Sequence, residues 1–310
     1  MAMFSQTTII LGNGFDLDLG LNTSYKSFID SKDFEFWMKE YIDTPDETNL
    51  FDYIFKQRLI DTWGGVEASI YDFAEYTKAI DRFDYEMIEQ EFRHLEDAIA
   101  EFLKKVDYNN IIFTSCAWHL LGILRKYPHV NIFSFNYTDI AKLPGTPLPN
   151  SRIKHIHGTL TEKNAILGIQ DCKIRQELSF FKKSHHTNYM SKELIETLNK
   201  SERILFYGHS MCLSDMDYFT SLFKNICRRE SNIKRIDFVV LDSDAEKELY
   251  KNIVLLSEHT LAEIRECVDL FVFKTKDNIQ AVFEMMNKFD ISMSEPAFCA
   301  CMPTGRRVNH

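Results

Sequence analysis

The strongest constraint on this chain is a succession of short β-branched and aromatic runs, each stopping at polar residues and separated from the next by helical spacing. Thr7-Thr8-Ile9-Ile10-Leu11 leads straight into Gly12-Asn13-Gly14, a buried strand entering a tight turn. Val130–Phe135, Arg203–Tyr207, Ile236–Leu241 and Val268–Phe273 repeat the pattern, and Ile153–Ile156 and Ala165–Ile169 read as shorter strands. Helical periodicity is expected at residues 24–41, 50–80, 85–106, 117–126, 192–200, 215–229, 245–258 and 279–289. Strands alternating with helices imply a parallel sheet. The expected fold class is therefore α/β, a doubly wound, mostly parallel Rossmann-type sheet with a large helical insertion after the first strand, at about residues 29–128. A single α/β domain would span residues 1–291, followed by a poorly ordered tail at 292–310, where two Pro and Gly305 break any periodicity.

Composition narrows the partners. Of 310 residues, 45% are hydrophobic and 26% charged, which suits a globular core, and the net charge of −10 argues against general nucleic-acid binding. Seven cysteines without a Cys-x-x-Cys pair point to free thiols in a reducing compartment. Thr7–Leu11 is too short for a signal or membrane segment, so a cytoplasmic location with no membrane is expected.

Four polar clusters stand where strands stop. In Gly12-Asn13-Gly14-Phe15-Asp16, the glycines would let backbone N–H groups approach a phosphate, with φ > 0 expected at Gly14; a ligand-free turn explains the same residues. Gly20, Thr23 and Tyr25 follow closely. Phe135-Asn136-Tyr137-Thr138-Asp139 lies where ligands of open α/β sheets bind, although Asn, Thr and Asp also cap helices. In His155-Ile156-His157-Gly158, strand alternation would put both rings on one face, where packing is commoner than metal ligation, and no metal is expected. After Tyr207-Gly208-His209-Ser210, Ser214 or Asp215 could cap the next helix; Gly208 and Ser210 could instead line a nucleotide pocket. Only eleven glycines occur in the chain, yet Gly12, Gly14, Gly20, Gly158 and Gly208 all fall in or beside these clusters, which argues for one shared cleft.

The set of motifs resembles the AbiH family of phage abortive-infection proteins, whose members carry Gly-Asn-Gly-Phe-Asp, Gly-Leu-x-Thr-x-Tyr, Phe-Asn-Tyr-Thr, His-x-His-Gly and Tyr-Gly-His-Ser segments in this order. Trp63 with Glu67 echoes a weaker pattern of that family. A more distant resemblance is to sirtuins, with Gly12, Gly14 and Gly20 at the spacing of the sirtuin glycines. Asn136 and His157 stand where that fold has its Asn and His, and Gly208 and Ser210 match its nucleotide turn. The sirtuin zinc module has no counterpart, Asp139 is displaced by one position, and Tyr25 and Phe28 replace the Pro-Asp-Phe-Arg region.

The resemblance implies a phage-defence protein with a sirtuin-like sheet that takes NAD or NADP as substrate and cleaves the nicotinamide–ribose bond. Asn136 and His157 would be catalytic. Gly12, Asn13, Gly14, Phe15, Asp16, Gly20, Thr23, Tyr25, Gly208, His209, Ser210 and Asp215 would bind the nucleotide. The alternative is a catalytically silent nucleotide sensor or interaction module. A dehydrogenase fits less well, because no clear acidic ribose ligand follows the glycine turn by about 20 residues. The aromatic residues Phe34, Phe36, Trp37 and Tyr41 offer a surface for a homo-oligomer or a phage-derived activator, or simply the inner face of a packed helix.

Overall fold

The computed structural model of the protein describes residues 6–42, 49–57, 64–79, 84–145, 148–159, 165–170, 173–186, 189 and 191–294. Strand β1 (Thr7–Leu11) is followed at once by α1 (Asn13–Asp18), so the glycine turn is one residue long. Helices α2 (Tyr25–Ile29), α3 (Lys32–Ile42), α4 (Leu50–Lys56), α5 (Gly64–Tyr76), α6 (Tyr85–Lys104) and α7 (Cys116–Leu124) precede β2 (Asn131–Ser134) and β3 (Ile153–His155). After α8 (Ser191–Lys200) come β4 (Arg203–Tyr207), α9 (Met216–Cys227), β5 (Arg235–Val240), α10 (Ser243–Ser257), α11 (Leu261–Cys267), β6 (Asp269–Lys274) and α12 (Ile279–Ser294).

All six strands run parallel in the order β3-β2-β1-β4-β5-β6, the order of a Rossmann sheet. The alternation of side chains along each strand builds a core on either face. Ile9, Leu11, Leu205 and Tyr207 join Phe15 of α1, the apolar residues of α7 and Phe289 of α12 on one side. Ile10, Ile204, Phe206 and Phe238 meet α8, α9, α10 and α11 on the other. β1 is buried along its whole length, which is why its sequence is a continuous apolar and Thr run.

Helices α2 to α6 pool their apolar stripes into a third core, where Phe28, Phe34, Phe51 and Phe73 are fully buried. Aromatic Phe34 and Tyr41 thus face inward, whereas Phe36 remains 57% exposed. Leu167, Ile169, Leu178 and Phe181, from the long β3–β4 connection, complete this third core. That connection explains one departure from expectation: residues 165–169 form no sheet strand. Ile169 exchanges backbone bonds with Phe181 and Lys183, pairing its own connection rather than β3. The helix expected at 24–41 is broken at Asp30 and Ser31, and α12 continues to Ser294, past the expected start of the tail; residues 295–310 lie outside the described residues, as does Trp63. Among the described residues, no helix is long and apolar enough to cross a membrane.

Candidate functional site

The strand order reverses between β1 and β4, and the loops that leave the carboxyl ends of β1 to β5 enclose a cleft of about 280 Å³ there. Gly12, Asn13, Gly14, Asp16 and Thr23 line it from the first loop, Asn136 from the second, His157 from the third, and Gly208, His209, Ser210 and Asp215 from the fourth. Four carboxyl side chains line this cleft, those of Asp16, Glu67, Asp215 and Glu248, and among the described lining residues there is no Lys or Arg.

Three residues expected to touch the nucleotide are elsewhere. Phe15 is fully buried against Tyr207, with ring centroids 5.4 Å apart. Tyr25 is buried in the third core and donates to the Ile54 carbonyl. Gly20, at φ +85°, abuts Ile112 away from the cleft. These residues shape the first loop and its packing rather than line the cleft.

The glycine turn is also built differently from the expectation. Gly14 is not among the residues with positive φ; the left-handed one is Gly208, at φ +66°. Gly12 N–H donates to the Tyr207 carbonyl and Gly14 N–H to the Gly208 carbonyl, both at 2.9 Å. A Cβ on Gly14 would lie 2.7 Å from Gly208 Cα, and one on Gly208 would lie 2.3 Å from Phe15 N. The glycines of the two motifs are therefore the contact between two backbones, and their N–H groups are already committed to protein carbonyls.

Asn136 joins the first two loops. Its amide donates to the Gly12 carbonyl at 3.0 Å and to Asp16 Oδ1 at 2.9 Å, while Thr138 Oγ1 donates to Asp16 Oδ2 at 2.7 Å. The capping alternative holds for Asp139 alone, which accepts from Ala141 N–H. Asp16 is fully buried, and desolvation pushes its pKa up to about 7 despite the hydrogen bonds from Thr138 and Asn136. A carboxyl that changes charge near neutrality thus faces the cleft.

His157 lies beyond the end of β3, so strand alternation does not set its direction. His155, the last strand residue, contacts the Asn136 carbonyl through Nδ1 at 3.0 Å. The His157 ring instead packs 5.1 Å from the ring of Phe135 and 6.2 Å from that of Tyr137, the two neighbours of Asn136. Its Nε2 is 3.3 Å from Asp215 Oδ1. His209 reaches the other oxygen of Asp215 at 3.3 Å, and its Nδ1 accepts from Met211 N–H at 3.1 Å, which leaves Nε2 as the protonated nitrogen. Asp215 stands at the first turn of α9 without capping it, because its side chain is turned into this cluster.

The residue that sequence reasoning missed is Lys183. Only 2% exposed, it bonds Glu67 at 2.8 Å, Asp215 at 2.9 Å and the Ser214 carbonyl at 3.2 Å. Burial opposes its charge, but the Asp215 and Glu67 carboxylates outweigh burial and raise its pKa. Burial likewise disfavours the charge of Asp215, yet Lys183, then His157 and His209, hold its carboxyl well below the usual range. The Lys183 ammonium also lies 3.3 Å from His157 Nε2, and among the described residues no group of three or more His, Cys, Asp and Glu could hold a metal ion.

No curated protein matches the chain. The family described as bacteriophage abortive infection AbiH matches residues 8–237, which include every cleft loop except the one after β5. The match speaks for that family and does not extend to sirtuins. On a correspondence that covers well over half its length and the whole Asn136, His157 and Gly208 constellation, the chain belongs to the AbiH family.

Proposed function

We propose that the cleft binds NAD and hydrolyses its nicotinamide–ribose bond, as the toxic output of an abortive-infection protein. The observation that carries this reading is the meeting of Asn136, Asp16 and His157 in one cleft at the reversal of a Rossmann strand order. Breaking the C1′–N bond sends its electron pair to nicotinamide and leaves oxocarbenium-like charge on the ribose. A carboxylate lining the cleft suits that charge, and Asp16 faces it from beside Asn136. Water then bonds to C1′ and gives its proton to His157, yielding ADP-ribose. Both hydrogens of the Asn136 amide are committed to Gly12 and Asp16, so its carbonyl oxygen is the atom left to hold the water or a ribose hydroxyl. An acidic lining without Lys or Arg disfavours the additional phosphate of NADP.

The second reading is a nucleotide sensor without turnover. It is favoured by the commitment of the Gly12 and Gly14 N–H groups, which withdraws them from a phosphate. Incubation of the purified protein, and of protein isolated from phage-infected cells, with NAD and NADP, followed by chromatography for nicotinamide, separates the two. Release of nicotinamide, faster from NAD, is expected. His157→Ala should lower turnover by about 10²- to 10⁴-fold while NAD still binds, and Asn136→Ala should lose a comparable factor. His155→Ala, outside the cleft, should be milder. Saturable NAD binding with no product from either preparation would establish the sensor instead.

A further inference from the structure

The hydrogen bonds around Asp215 reach past Asn136 and His157 to Lys183 and Glu67. The Lys183 ammonium has three hydrogens, and Glu67 Oε1, Asp215 Oδ1 and the Ser214 carbonyl take them at 2.8, 2.9 and 3.2 Å. None remains for His157 Nε2, although it lies 3.3 Å from the ammonium. The arrangement that satisfies every group has His157 Nε2–H donating to Asp215 Oδ1, as His209 Nε2–H donates to Oδ2. The His157 Nδ1 lone pair then has no protein partner among the described residues, and the ring lines the cleft.

We infer that Lys183, clamped by Glu67 of the helical block, is a positioning residue that anchors Asp215 and so holds the His157 ring by its Nε2 side, with Nδ1 presented to the cleft as the base. Lys183 itself does not line the cleft and acts through Asp215. The inference rests on the proposed hydrolysis only for the word base; the tautomer and the titration of His157 are properties of the resting protein.

The groups packed against His157 set the sign of the effect. Asp215 faces it from the β4 loop, with His209 and Cys212 on the other oxygen of that carboxylate, Lys183 from the β3–β4 connection and Glu67 through Lys183 from α5, while the Tyr137 and Tyr218 rings lie 6.2 and 6.1 Å away. The ammonium opposes a second positive charge on the imidazole, and the Asp215 carboxylate favours it. Removing Lys183 leaves Asp215 with His157 on Oδ1 and His209 and Cys212 on Oδ2, with no ammonium beside it. The charged form of the imidazole is then favoured, which takes up the Nδ1 lone pair.

The test is NMR titration of protein labelled with ¹⁵N-histidine, with His157 assigned from the His157→Gln spectrum. The wild-type protein is expected to show the Nε2–H tautomer. Lys183→Met should raise the His157 midpoint by about one pH unit or more, and Lys183→Arg should restore it. Should Lys183→Met fail to fold, the double variant Lys183→Met/Glu67→Gln, which removes one charge of each sign, takes its place. In NAD turnover, the acid limb of kcat should move up with the midpoint while KM stays within about twofold. A wild-type His157 protonated at Nδ1, or an unmoved midpoint in a folded variant lacking Lys183, overturns the inference. Absence of NAD hydrolysis with the expected NMR result would refute the proposed reaction and leave the positioning role standing.

Discussion

A single Cβ decides what the glycines of the first and fourth loops are for. Gly14 and Gly208 are in backbone contact, and the left-handed conformation belongs to Gly208. Gly14→Ala should therefore lower stability, because the added methyl meets the Gly208 Cα at 2.7 Å and neither backbone has a rotamer with which to yield. Gly208→Ala combines an equivalent clash with a left-handed φ that alone costs about 1–3 kcal/mol. Urea denaturation is expected to show both losses in the absence of any nucleotide. Wild-type stability with reduced NAD affinity in Gly14→Ala would return that residue to the role of phosphate cradle. The sequence marked these positions correctly as needing glycine, but a Gly-x-Gly pattern cannot distinguish backbone that receives a ligand from backbone that receives another loop. Lys183 was harder to see, because Lys182-Lys183 reads as an ordinary basic surface and its burial depends on Glu67 and Asp215, both remote in sequence.

Whole elements were more legible than single contacts. β1 and β4 fall where their β-branched and aromatic runs place them, because the inner strands of a parallel sheet are covered on both faces, and the other sheet strands fall within a residue of theirs. The short α1 was hidden, since six residues starting inside a glycine turn carry too little periodicity to register. The segment at 165–169 has strand composition but pairs locally, a choice set by the packing of Leu167, Ile169 and Phe181 into the helical core. At the other end of the strands from the cleft, Asp237 is fully buried in β5 and paired with Arg203 of β4 at 2.7 Å and Arg235 at 2.8 Å. Burial works against the Arg203 charge, which Asp237 supports. Asp237→Ala leaves Arg203 uncompensated, and removing one partner of such a pair costs about 3–5 kcal/mol. Denaturant midpoints should fall accordingly while NAD affinity, measured on the folded fraction, stays unchanged. Loss of affinity at full stability would instead tie the far ends of β4 and β5 to the cleft.

For the whole molecule, the cleft lies where the parallel sheet and the helical block meet, and both supply charge to it: Asp16 and Asp215 from the sheet loops, Glu67 from α5. A buried carboxyl at this junction makes folding itself sensitive to pH. The Asp16 pKa is raised from 3.8 to about 7 by burial, so between those values the folded chain keeps a proton that the unfolded chain has released. Its contribution to stability is full below about pH 4 and is lost as pH rises through 7, with a limiting slope of about 1.4 kcal/mol per pH unit. Glu91 and Glu96, both raised to about 7 chiefly by burial, act in the same direction. Asp215 acts in the opposite one: its depressed pKa gives stability that is present above the ordinary carboxylate range and fails as pH drops through its folded value. Stability measured by urea unfolding should therefore decline from pH 5 to pH 8. Asp16→Asn should make that decline shallower, since an amide carries no charge to bury and can still bond Asn136 and Thr138. An unchanged slope in the folded Asp16→Asn protein would show that Asp16 is already ionised at pH 5, and would remove it as a group that titrates in the cleft near neutrality.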